Sequence, residues 1–331
     1  MEPLLKVRDL VVYFYTYAGV VKAVEKVSFD VYPGEVYGIV GETGCGKTVT
    51  SRAITRLIPE PGRIEGGQAL FRRDSEWIDL LKLPDKELRK IRGNEIAYIF
   101  QDPSSSLDPL YTTGYQIGET IISHRDIRWN DAWKKALDIL RNVLIPDPEK
   151  RIKNFPHELS GGMKQRIVIG ISISNEPKIL IADEPTTNVD VTIQAQIISL
   201  LAKLKEERNT SIILITHNMG LVAEMADRVG VMYAGKMVEI APIEEIFENP
   251  KHPYTKGLLQ CVPNPLKEIK RLQHIPGTIP NLIYPPPGCR FHPRCPHAMP
   301  ICKKMHPPRK EIAPNHFVEC WLYVEEKPEV K

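Results

Sequence analysis

The chain lacks any apolar run near the ~18 residues that a membrane-spanning helix needs. Its longest apolar stretches, such as Ile179–Ala182 and Ile212–Ile215, have the length of buried strands. It also lacks a charge excess. Lys and Arg number 44 against 41 Asp and Glu, a formal net charge of +3. That gives no support to bulk nucleic-acid binding, which shows as a basic stripe or a much higher pI. The opening Met-Glu-Pro-Leu-Leu-Lys has neither the charged nor the apolar region of a signal peptide, so a cytoplasmic location is expected. Cysteine is scarce and uneven. Of six, four (Cys289, Cys295, Cys302 and Cys320) fall in the last 43 residues. Cytosolic thiols seldom form structural disulfides, so this clustering argues for a metal site.

What is present divides the chain. The 331 residues, 42% apolar and 26% charged, accommodate one large α/β domain and a smaller appendage. Seventeen of the 29 prolines lie from Pro242 onward, which predicts loops and short elements there. Upstream, strands are predicted at Val36–Val40, Ile96–Phe100, Lys178–Ala182, Ser211–Thr216 and Arg228–Tyr233. Helices are predicted from Lys47 to before Pro59, over Asn130–Val143, and over Val191–Glu207. Strands separated by helices imply a mostly parallel sheet with covered faces. Gln101 to Asn175 lacks strand signals and reads as a helical insert.

Gly41-Glu42-Thr43-Gly44-Cys45-Gly46-Lys47-Thr48, then Val49, follows a predicted strand and opens a helix, the context a phosphate-binding loop requires. Glycines let backbone N–H groups approach phosphate oxygens, and the helix N-terminus adds its dipole. Lys47 should reach the β- and γ-phosphates, and Thr48 should ligate Mg²⁺. Cys45 reads as a small filler rather than a low-pKa redox thiol. Lys178–Pro185 is an apolar strand ending in two carboxylates. Asp183 is placed to hold Mg²⁺ through water, and Glu184 to activate or orient the attacking water. Between these motifs stands Leu159-Ser-Gly-Gly-Met-Lys-Gln-Arg166. Ser160 and the N–H groups of Gly161 and Gly162 form an anion-binding helix start. A simple capped helix explains the serine. It does not explain two glycines, each weakening the helix by roughly 1 kcal/mol.

With these motifs in this order, the chain resembles the ATP-binding cassette (ABC) ATPases over about residues 4–250. The resemblance implies an α/β P-loop NTPase (RecA-like) core with an antiparallel β-subdomain and a helical subdomain insert at about 101–177. It assigns Gln101 as the Q-loop glutamine contacting Mg²⁺ and water, and His217 as the switch histidine contacting the γ-phosphate. Asp190 matches the D-loop aspartate, although Asn188 and Val189 depart from the usual Ala-Leu. Lys47, Gln101, Glu184 and His217 are the expected catalytic set. Ser160, Gly161, Gly162 and Gln165 are expected to cap nucleotide held by a second cassette. Phe14 fits the adenine-stacking position by its offset from Ala23-Val24, with Tyr13, Tyr15 and Tyr17 as competitors.

In the tail, Cys289-x5-Cys295-x6-Cys302-x17-Cys320 suits a thiolate site for zinc or iron, and the spacing chooses neither. His292, His297 and His306 read as exposed loop histidines. Ile275–Leu282, Pro285–Pro296 and His252–Leu258 resemble the C-terminal region of dipeptide/oligopeptide importer ATP-binding subunits, across residues 250–322. That resemblance implies a small Pro/Cys-rich domain over 251–331, after a nucleotide-binding domain over 1–250. It implies a [4Fe-4S] cluster on the four cysteines, with Cys261 outside the set. It further implies an ATPase working with ATP and Mg²⁺ to power uptake of peptides, oligosaccharides or nickel. The partners would be a second cassette (a paralogue or another copy), two transmembrane permease subunits and an extracellular solute-binding protein acting through them, with no nucleic acid. The location would be peripheral, on the cytoplasmic face of the membrane. A soluble ABC ATPase of DNA repair or ribosomes would carry tandem cassettes or long coiled coils, and a P-loop kinase has no use for Leu159–Arg166.

Overall fold

The computed structural model describes residues 2–187, 189–261 and 275–328. Asn188, one of the two departures in the D-loop, lies outside them. The chain divides into two compact units.

The first unit comprises Met1–Tyr32, Val36–Lys82 and Thr216–Lys331. It holds a four-stranded antiparallel sheet in the order Gly19–Val31, Leu5–Thr16, Gly62–Arg73, Glu76–Asp79. Leu5–Thr16 alternates buried and half-buried residues along its first half, as a strand with one covered face does. Its other strands run in the order Arg309–Ala313, His316–Glu319, Lys236–Pro242, Arg228–Tyr233, Val36–Val40. Val36–Val40 is buried at every position and pairs in parallel with Arg228–Tyr233, Tyr37 opposite Arg228. The tail is short on regular structure, as proline predicts, yet two of its strands extend this sheet. Glu239 faces Val318 and Ile240 faces Phe317. A buried polar contact fixes that register: His316 Nε2 lies 2.8 Å from Glu239 Oε1, both side chains fully buried.

The second unit comprises Pro33–Glu35 and Leu83–Ile215. Its parallel strands are Ile96–Ile99, Ile179–Asp183 and Ser211–Thr216, the last two buried throughout, with Ile96 opposite Ile179 and Ile179 opposite Ser211. Residues 103–173 form helices alone: Pro103–Ser106, Thr113–Ile122, Trp129–Asn142, Pro148–Arg151 and Gly161–Ile173, with a 3₁₀ turn at Pro156–Glu158. Trp129–Asn142 buries Ala132, Ala136 and Leu140, one stripe at i, i+4, i+8. Val191–Arg208 starts at Asp190, whose carboxylate accepts from the Ile193 N–H, and stops at Asn209 in the left-handed region (φ 52°).

Candidate nucleotide site

In the first unit, the strand Val36–Val40 turns into the helix Lys47–Ile54 through a loop that only glycine can form. Gly41, Gly44 and Gly46 have φ of 151°, 83° and 105°. A Cβ on Gly41 would stand 2.2 Å from the Met232 carbonyl oxygen, and one on Gly46 would stand 2.5 Å from that of Ala23. The Lys47 ammonium is nearly buried and donates to the carbonyls of Gly41 (2.7 Å) and Glu42 (3.1 Å). It is thus folded back over its own loop, where an incoming phosphate would exchange with those carbonyls. Thr43 and Gly44 are exposed, and Thr48 and Val49 half-buried. Cys45 is fully buried, and burial pushes its thiol up, which leaves a neutral filler. His217 is exposed just past the strand end at Thr216. The next residue, Asn218, caps the helix Met219–Met225 by accepting from the Gly220 and Leu221 N–H groups.

The aromatic residues near the first hairpin sort by face. Phe14 is half-buried over Gly62, where a Cβ would come within 2.7 Å of its ring. Tyr15 donates its hydroxyl to Glu65 at 2.9 Å, and burial beside Glu25 raises the Tyr13 phenol. Tyr17 is fully exposed.

In the second unit, Asp183 ends its strand fully buried, and its Oδ2 accepts from the Tyr98 hydroxyl at 2.9 Å. Glu184 follows with φ 47°, a conformation costly for a residue with a side chain, and its N–H donates to the Ile215 carbonyl at 2.8 Å. The Glu184 carboxylate accepts from Gln101 Nε2 at 2.8 Å and from Thr187 Oγ1 at 3.0 Å. Gln101 and Glu184, 83 positions apart, are therefore brought together. Tyr98 has no motif around it in the sequence; its place in the strand Ile96–Ile99, three residues before Gln101, is the one signal that marks it.

Ser160 caps the helix Gly161–Ile173, accepting from the Met163 N–H at 3.3 Å. Gly162 packs on Ile193, 3.0 Å from where a Cβ would stand. Around Gly161, nothing among the described residues lies within 4 Å of that position. Gln165 is 1% exposed, and its Nε2 donates to the Pro185 carbonyl at 2.8 Å. Its side chain ties the helix to the residue after Asp183-Glu184.

All six cysteines are free thiols. Burial pushes Cys289 up to about 12 and Cys320 up to about 11, and raises Cys295 as well. Cys289 also feels Cys302, Cys320 and Cys295, so the four thiols lie within electrostatic reach of one another. Ile301, Cys302 and Trp321 form a small apolar cluster with Cys289 packed against it. Among the described residues, however, no group of three or more His, Cys, Asp or Glu is arranged to hold a metal ion. The donor chemistry of the four thiols suits a thiophilic metal. His297 is exposed as predicted, but His306 is not a loose histidine: its Nε2 lies 2.8 Å from Glu319. Cys261 is half-buried at the end of the helix Pro253–Gln260.

The family model described as ABC transporter matches residues 24–187, and that of the oligopeptide/dipeptide transporter C-terminal region matches 238–302. The dipeptide transport ATP-binding protein DppD of Bacillus subtilis (strain 168) is 50% identical over 97% of this chain and 95% of its own length. The oligopeptide transport ATP-binding protein OppD of the same organism is 48% identical over 99% and 91%. Among solved structures, the dimeric ATP-binding cassette MJ0796 in a post-hydrolysis state bound to ADP and Pi matches 72% of this chain and 98% of its own, with a TM-score of 0.64 at 25% identity. CbiO1 from Clostridium perfringens matches 75% and 92%, with a TM-score of 0.62 at 26% identity. The antiparallel sheet, the parallel strands and the helical stretch are those of an ABC-type P-loop NTPase, an ATP-hydrolysing fold. By these matches along nearly its whole length, the chain belongs to the ATP-binding subunits of ABC transporters, in their dipeptide/oligopeptide branch.

Proposed function

We propose that this subunit hydrolyses ATP to power peptide import, with each ATP served by two cassettes. Gly41–Thr48 holds the phosphates, and Lys47 leaves its loop carbonyls for the β- and γ-oxygens. Thr48, Asp183 and Gln101 would hold Mg²⁺, whose role is to neutralise charge on the β- and γ-phosphates. Asp183, a buried hard oxygen donor steadied by Tyr98, suits that ion. Glu184 takes or orients the proton of the attacking water, and His217 contacts the γ-phosphate.

The observation that carries the reading is the Glu184 carboxylate. It sits on a strained backbone at the end of a buried strand, and Gln101 and Thr187 hold its orientation. A base fixed before substrate arrives needs no reorganisation during the reaction. Replacing Glu184 with Gln should lower the steady-state ATPase rate of the assembled complex by roughly 100-fold or more. An unchanged rate would remove Glu184 from this role.

The second cassette would come from a paralogue or another copy, and its Ser160, Gly161 and Gly162 would close over this chain's ATP. Gly161 supports this, since neither a positive φ nor any described neighbour requires glycine there. Residues 1–250 act as the cassette. Two transmembrane permease subunits receive its motion near Gln101, and an extracellular solute-binding protein delivers the solute to them. Among the described residues no helix is long and apolar enough to cross a membrane. The subunit would bind the permeases peripherally, at the cytoplasmic face. DppD and OppD are named for dipeptide and oligopeptide transport, so peptides are the solute proposed here, ahead of nickel or oligosaccharides.

Residues 251–331 form the accessory region, with Cys289, Cys295, Cys302 and Cys320 as the ligands of a [4Fe-4S] cluster. Their clustering supports this, and ligation would require the thiols to deprotonate and draw together. The cluster would staple a loop-rich region that has little core of its own. Iron and sulfide content of anaerobically purified protein tests it. Stoichiometric zinc without iron would overturn it.

A further inference from the structure

Two arginines between Cys289 and Cys295 link the C-terminal region to the phosphate loop, Arg294 directly and Arg290 by way of the Ala234-Gly235 turn. The Arg294 side chain is 6% exposed and donates to both Glu42 carboxylate oxygens, Nη1 to Oε2 at 2.8 Å and Nη2 to Oε1 at 3.0 Å. Two parallel charge-assisted bonds fix direction as well as distance. The Glu42 N–H donates to the Tyr254 hydroxyl oxygen at 2.9 Å. Arg290 pairs with Glu25 and donates to the Ala234 carbonyl. The neighbouring Gly235 N–H donates to the Cys45 carbonyl at 2.8 Å, and its own carbonyl accepts from the Glu25 N–H at 2.9 Å. The loop is thus gripped at both sides of its tip, at Glu42 directly and at Cys45 through the turn at Ala234-Gly235.

Both arginines ride on one short turn whose ends are cysteines. The Cys289 carbonyl accepts from the His292 N–H at 3.0 Å, and the Cys295 N–H donates to the His292 carbonyl at 3.3 Å. The Cys289 N–H donates to the Cys302 carbonyl at 2.8 Å. The backbones of both cysteines are thus built into the turn, and the Arg294 side chain of that turn lies on the loop. A partly exposed Arg–carboxylate pair adds little net stability, so it is a poor way merely to glue a tail in place. What the pair adds is a fixed geometry at Glu42.

We propose that the Cys289–Cys295 turn is a brace that sets the ATP affinity of the phosphate loop. Arg294 is its positioning residue, and the state of the four thiols is transmitted through it. This rests on the reading of Gly41–Thr48 as the nucleotide loop.

The test uses the full-length subunit, assembled for hydrolysis assays and isolated for equilibrium binding of a fluorescent ATP analogue. Arg294→Ala and Glu42→Gln should each raise the KM for ATP and the Kd of the analogue roughly fivefold or more, and Arg294→Ala should leave kcat little changed. The double variant should be no worse than either single one, since both remove the same contact. Arg294→Lys, which keeps the charge and loses the fork, should fall between. Cys295→Ser should raise KM in the wild-type background and add nothing to Arg294→Ala. If Arg294→Ala and Glu42→Gln both keep wild-type KM and Kd while Lys47→Ala abolishes analogue binding, the brace is wrong and the nucleotide loop stands. If Lys47→Ala also binds normally, the nucleotide-loop reading itself falls. If Arg294→Ala raises KM and Cys295→Ser does not, the thiols have no part in it.

Discussion

The glycines of the phosphate loop and those of the signature helix look alike in sequence and differ in what requires them. Gly41 and Gly46 are demanded by the chain itself: each has a positive φ, and each would drive a Cβ into a carbonyl oxygen. Gly162 sits between, snug against Ile193. Gly161 is demanded by nothing described in this chain. A residue that weakens a helix start and has no internal reason to be there points to a reason outside. In the proposed function the first region is built for its own ligand, and the second serves nucleotide held by another chain.

Substitutions can break or sharpen that contrast. Gly41→Ala should be the most damaging. It forces both a left-handed backbone and a clash, and should cost about 2–3 kcal/mol of stability together with ATP binding. Thermal unfolding and equilibrium ATP binding would read both losses, and a normal melt with normal binding would remove the internal demand. The tail offers a second internal case. His252 is buried, and burial holds it down at about 4 against an ordinary 6.5. A histidine kept neutral in the fold contributes stability that is complete above pH 6.5 and is lost as pH falls toward 4. The loss should reach up to about 3 kcal/mol, and His252→Asn should flatten that limb of the stability–pH curve. Asp190→Ala removes a helix cap and should cost about 1 kcal/mol by denaturant titration. Gly161→Ala, at the other pole, should not destabilise the fold and should gain up to about 1 kcal/mol.

Much of this was legible because its cause is local. The phosphate loop, the Asp183-Glu184 strand end and the Ser160 cap each lie within a few residues of the strand or helix that positions them. The contact between Arg294 and Glu42 spans 252 positions and has no local pattern, so nothing in the sequence announced it. Tyr98 is hidden for the same reason, since a tyrosine in a buried strand usually only packs. The bond from Gln165 to the Pro185 carbonyl is hidden too, since the 20 positions between them carry no local pattern that announces it. The strand pairing of His316–Glu319 was likewise invisible in a proline-rich tail, because it depends on Glu239, 77 positions away.

The central claim is that Leu159–Arg166 serves nucleotide bound by another chain, and Gly161→Asp tests it most directly. An aspartate in the first helical turn is locally favourable, so the fold should be unharmed. It also puts a negative charge where a partner's γ-phosphate would sit. The account predicts wild-type stability and wild-type ATP affinity for the isolated subunit, with ATP hydrolysis by the assembled complex reduced by roughly 100-fold or more. Full hydrolysis in the complex, or lost ATP affinity in the isolated subunit, would contradict it.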